Sequence, residues 1–189
     1  GLERPDTRRV SGRTVSFVSP GNVAIRAGVL GELDGFDEYL DIGSARDLAH
    51  RLAANGASVR WVERMQTTDQ ESAIQTATDG GDSREAEADW VWTYRSLAYR
   101  LVKNYNLRPS IVRRLLGRAA ADGSTNFRDF LGGDGRLSEW FHNGRNVTVN
   151  LVRGSVAGMV ARRRDPTKRR NPYGLSTRAD RAVAVYDWR

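Results

Sequence analysis

The chain contains no cysteine, which removes a disulfide framework, a thiolate metal site and a cysteine nucleophile at once. Histidine is nearly absent as well. His50 and His142 are the only two, no motif surrounds either, and nothing marks the nucleophile and orienting acid that a catalytic triad requires. Long apolar runs are also missing: the most apolar stretch, residues 147–160, is interrupted by Asn150 and Arg153 and falls short of the roughly 18 residues a membrane span needs. The glycines at 132, 133 and 135 lack the lysine of a phosphate loop and the full dinucleotide fingerprint. The densest carboxylate cluster, Glu32, Asp34, Asp37, Glu38 and Asp41, does not follow the calcium-loop spacing. The expectation is therefore a non-enzyme with no cofactor and no metal, and no membrane association.

Positive charge is abundant, and it is unevenly distributed. The formal net charge is +7 over 189 residues, but residues 1–89 hold 10 Lys+Arg against 16 Asp+Glu, whereas residues 90–189 hold 20 against 7. Lysine occurs only at positions 103 and 168. Arginine dominates the rest, and its planar fork suits bidentate contact with phosphate.

Sequence pattern divides the chain into three parts and predicts an α+β fold. Residues 1–65 read as a small sheet-and-helix unit. After a polar arm at 1–12, the β-branched stretches 13–19 and 22–30 flank Pro20-Gly21 and predict a hairpin. A third short strand is expected at 39–42. Ser44 with Asp47 three residues on resembles a capping box and opens a helix carrying Leu48, Leu52 and Ala53, which Asn55-Gly56 stops. A strand is expected at 58–65. Residues 66–89 are polar and acidic with Gly80-Gly81, the composition of a linker or mobile loop.

Residues 90–189 read as a basic helical unit with a C-terminal arm. Helical spacing runs through 88–105, Pro109 opens a second helix with Ile111, Val112, Leu115 and Leu116 on its apolar stripe, and 147–160 is read as a third. A turn-like piece is expected around Phe127 and Phe130, and a short terminal helix at 179–188. Gly154 and Gly158 have the spacing that lets two helices approach closely.

The focus of this half is 135–170, where Trp140 and Phe141 run into the apolar segment and then into Arg162, Arg163, Arg164, Lys168, Arg169 and Arg170 around the single acid Asp165. Guanidinium groups pair with phosphate oxygens and rings stack on bases, so this composition fits a nucleic acid. Arg113, Arg114 and Arg118 are placed to line a groove, with Arg145 beside the aromatic pair. Trp92 and Tyr99 are further candidates for stacking.

Phe127-Arg128, Glu139 before Trp140 and Phe141, Arg145-Asn146, Tyr173-Gly174-Leu175 and the terminal Asp180, Ala184, Tyr186, Asp187 and Trp188 resemble the core of potyvirus-type flexuous filament coat proteins. The resemblance covers the last third of the chain. It implies a pocket for genomic RNA shaped by Arg128 and Asp187, and it favours RNA over DNA.

Charge and inventory together predict a structural nucleic-acid-binding protein, a coat or nucleocapsid-type subunit that self-associates and binds phosphate without sequence specificity. No signal-peptide pattern is present, so a virion or cytoplasmic location is favoured. Two other readings predict different behaviour: a DNA-binding regulatory module with a helix-turn-helix over 109–131, and an assembly subunit whose basic face binds an acidic protein partner.

Overall fold

The fold is α+β, a two-stranded antiparallel sheet followed by helices. The computed structural model describes residues 6–18, 23–62, 65, 83–131 and 137–178, with side chains described outside 83–91, 122–131, 137–143 and 178. By its contacts the chain forms two compact units, Gly1–Gln70 with Arg163–Arg189, and Glu71–Arg162. The acidic stretch at 66–89 lies at the first crossing between them. The second crossing falls in the last turn of a long helix, where composition does not change.

In the first unit, strand β1 (Asp6–Val10) pairs with β2 (Arg13–Phe17), Asp6 opposite Phe17 and Val10 opposite Arg13. Ser11 and Gly12 connect them with φ of 47° and 88°, the double positive φ that a tight two-residue hairpin turn demands. The register puts Val10, Val15 and Phe17 on one face, with Val10 and Val15 buried, and leaves Thr7, Arg9, Thr14 and Ser16 on the other.

The expected hairpin over 13–30 is therefore corrected. Only its first strand exists, its partner comes from the arm read as unstructured, and α1 (Ala27–Glu32) occupies the place of the second strand. A hairpin needs only a turn and one buried face, and β1 supplies a single buried apolar residue, too little for a periodicity signal. Among the described residues, neither 39–42 nor 58–62 joins a ladder; the first overlaps a turn in which the Leu40 amide donates to the Asp37 carbonyl at 3.2 Å.

Helix α2 (Ser44–Ala54) runs as expected and is capped at its end by Asn55. Its start differs: Gly43, at φ 82°, is the N-cap, and no side chain caps the helix. Asp47 is buried instead, in an ion pair with Arg51 at 2.8 Å. The apolar core of this unit is Leu33, Leu48 and Leu52, with Ile25, Val29, Leu30 and Ala57 packed against it.

The second unit consists of α3 (Ser83–Tyr105), α4 (Pro109–Leu131) and the greater part of α5 (Leu137–Arg164). Helix α3 starts earlier than its apolar pattern indicated, within the acidic stretch, and α4 absorbs the piece read as a turn around Phe127 and Phe130. Pro109 sits at the first turn of α4, where its missing N–H costs nothing. Tyr94, Ala98, Tyr99, Leu101, Val102 and Tyr105 form the buried face of α3, and Ile111 and Leu115 that of α4.

Helix α5 meets α3 at Gly154 and Gly158. A Cβ on Gly158 would lie 2.6 Å from the Tyr99 carbonyl oxygen, and one on Gly154 would fall on the Arg95 carbonyl. The close approach inferred from their spacing is present. The 132–135 loop and the 179–188 helix lie outside the described residues.

Candidate nucleic-acid interface

Two stretches of the chain, 90–121 and 140–164, contain no Asp or Glu. They make up most of α3, the first half of α4 and nearly all of α5, and they carry seven and five basic residues respectively. Of the cations these stretches place on helices, only Arg118, four residues before Asp122, has a carboxylate on its own helix at i,i+4 spacing. Folding then decides which of these cations reach solvent.

In the unit formed by residues 71–162, Arg113 and Arg114 are exposed on α4, and Arg145 and Arg153 are exposed on α5. Among the described residues, no carboxylate lies within ion-pairing distance of these four. Arg118 is exposed on α4 and also engages a neighbour within the fold.

Arg162 has another part. Its guanidinium donates to the carbonyl oxygens of Lys103 at 3.0 Å and Asn104 at 3.4 Å, which satisfies the end of α3 where helical carbonyls lack partners.

The aromatic candidates separate in the same way. Trp92 is half-buried with the Arg95 guanidinium 4.9 Å from its ring centroid, a cation–π pair. Tyr99 is fully buried, so its ring has no face to offer a base, and the expectation that it stacks on nucleic acid is corrected. Lys103 lies 5.2 Å from the Tyr99 centroid. The side chains of Trp140 and Arg128, and residue Asp187, lie outside the described residues.

In the other unit, the basic block around Asp165 is a fixed turn, not a frayed run. Asp165 Oδ1 accepts the amide and the hydroxyl of Thr167, and Oδ2 accepts the Asn171 amide at 2.8 Å. Burial alone would push this carboxyl up, but those hydrogen bonds and the Arg169 guanidinium outweigh it and hold it below the usual carboxylate range.

Arg169 lies 3.7 Å from Asp165 and 3.9 Å from Asp34. Arg164 donates to the Tyr173 hydroxyl at 3.2 Å. Arg163 and Lys168 are exposed. Arg170 is half-buried at φ 47°; burial, and then the nearby Arg13 charge, lower its pKa, although a guanidinium stays charged.

Sequence reasoning missed the network beneath this block. The Arg51 guanidinium donates to the carbonyls of Leu33 at 2.7 Å and Gly35 at 2.9 Å. The Asn171 side-chain amide donates to those of Asp34 at 2.7 Å, Gly35 at 3.3 Å and Phe36 at 3.2 Å. Asp34 accepts the Ser176 amide at 2.8 Å and hydroxyl at 2.6 Å. Asp47 and Arg51 at i,i+4 were the one readable signal.

The acidic cluster is spent on the fold in part: Asp34 and Asp37 are buried acceptors, Asp37 taking the Tyr39 amide at 3.0 Å. No group of three or more metal-ligating side chains converges among the described residues. His50 is buried with its ring edge-on to Phe17, centroids 5.3 Å apart. The span 109–131 is one uninterrupted helix, so no helix-turn-helix is built within it. Also among the described residues, no helix is long and apolar enough to cross a membrane.

Comparison with known protein families, with curated proteins and with solved structures finds no match.

Proposed function

We propose that the chain is a non-enzymatic nucleic-acid-binding structural protein, a coat or nucleocapsid-type subunit that self-associates and holds the phosphate backbone without reading sequence. The observation that carries this reading is the set Arg113, Arg114, Arg145 and Arg153, exposed on helices whose acid-free stretches supply no counter-charge. Arginine at exposed helical positions neutralises phosphates from several directions, and the affinity it confers depends on charge and salt more than on base identity.

Arg163 at the end of α5 and Lys168 on the turn that Asp165 fixes are a second supply of exposed charge, whereas Arg169 is paired with Asp165 and Asp34 and Arg162 is assigned to the fold. The preference for RNA rests on the coat-protein resemblance, whose two pocket residues are Arg128 and Asp187.

The test is the cargo of the purified chain. Its 260/280 nm absorbance ratio should exceed that of free protein, and RNase in place of DNase should lower both the ratio and the particle mass. A nucleic-acid-free chain that ignores added RNA and DNA at low salt contradicts the proposal.

A further inference from the structure

Residues 34–43 form a loop held with unusual completeness. Four consecutive carbonyls, from Leu33 to Phe36, accept hydrogen bonds from Arg51 or Asn171. The turn from Asp37 to Leu40 is closed by its own hydrogen bond, which brings Phe36 and Asp41 to its two ends. On this fixed backbone Asp34, Asp37 and Leu40 point inward, while Phe36, Asp41 and Ile42 face solvent, Phe36 at 41% exposure. An aromatic held outward on a rigid loop can dock without an ordering cost, and aromatic anchors carry much of the energy of protein contacts.

The α4 unit presents the complement. Leu107, Pro109, Val112, Arg113, Leu116 and Ala120 form a shallow, wide-open groove along one face of α4, with Leu116 60% exposed. Arg113 stands at its wall, and the 90–121 stretch holds no carboxylate that could face it. The complement to this groove is an apolar knob carrying an acid.

We infer that the 34–43 loop of one copy docks into the α4 groove of a second copy, Phe36 seating among Leu107, Val112 and Leu116 while Asp41 meets Arg113. This deepens the self-association in the proposed function and rests on it. A second exposed apolar row among the described residues, Val149, Val152, Val156 and Val160 on α5, is bordered by Arg145 and Arg153 and would set arginine against Arg113. Loop and groove are different surfaces, so the contact is heterologous and each bound copy keeps one free face.

The experiment uses the full chain after nuclease treatment, with mass read by light scattering on a sizing column and folding by circular dichroism. Phe36→Glu blocks the loop and Leu116→Glu blocks the groove. Each variant alone should be monomeric where the wild type assembles, and an equimolar mixture should double in mass, because one variant keeps an intact groove and the other an intact loop. If either glutamate variant misfolds, Phe36→Ser and Leu116→Ser replace the pair. A mixture that stays monomeric, a single variant that assembles like the wild type, or assembly lost only with Val152→Asp overturns the docking. Binding of a labelled RNA by wild type and Phe36→Glu, measured in parallel, separates the two claims. Binding retained beside a failed mixture sinks the docking alone, and a wild type that neither binds nor assembles sinks both.

Discussion

Arg51 shows how much a single buried side chain can organise. Its guanidinium has no exposed area, and it divides its donors between the Asp47 carboxylate and two backbone carbonyls. A buried ion pair of this kind adds little over a well-packed apolar pair, but removing one partner leaves the other charge desolvated and unpaired. Arg51→Met should therefore cost about 3–5 kcal/mol, read as a lower urea midpoint.

Asp165 carries the pH dependence of the basic turn. Its folded carboxyl sits below the ordinary value of 3.8, so it contributes stability that is present above the unfolded pKa and lost as pH falls through the folded one. Asp165→Asn should flatten that acid limb of the stability curve and cost about 1–3 kcal/mol at neutral pH; an unchanged limb would assign the dependence to other groups. From the sequence Asp165 was visible only as the lone acid among six cations. What it binds depends on a chain reversal at Thr167 and Asn171 that no residue spacing announces.

At the scale of elements, the helical half was readable because apolar residues recur at helical spacing over long stretches, and because Gly154 and Gly158 sit one turn apart. The sheet was not, since β1 reads as a polar arm with one valine and its turn is only Ser11-Gly12. Packing supports two predictions. Gly158→Leu should force α3 and α5 apart and lower stability by about 1–3 kcal/mol or more, as overpacked contacts do.

The second contrasts two arginines of similar appearance in sequence. Arg162→Ala removes charged hydrogen bonds to the end of α3 and should cost about 1.5–3 kcal/mol while leaving the salt dependence of nucleic-acid binding unchanged. Arg113→Gln should leave thermal stability unchanged and weaken binding in a salt-dependent way. Reversed outcomes would exchange the roles assigned to the two.

For the whole molecule, composition located the basic half but not how the chain is partitioned. Residues 163–170 carry the densest charge, yet they belong to the compact unit built on the N-terminal sheet. Arg113, Arg114, Arg145 and Arg153 belong to the other. A continuous reading of charge along the sequence could not separate these sets, because the crossing falls inside a helix.

In the proposed function Arg113, Arg114, Arg145 and Arg153 hold nucleic acid through its backbone. The deciding quantity is the affinity of the full chain for a labelled, mixed-sequence single-stranded RNA across a salt series. Log affinity should fall linearly with log salt, and replacing Arg113, Arg114, Arg145 and Arg153 by glutamine should reduce the slope by about 0.7 for each phosphate contact removed. No binding at low salt, or a slope that the fourfold variant leaves unchanged, would contradict it.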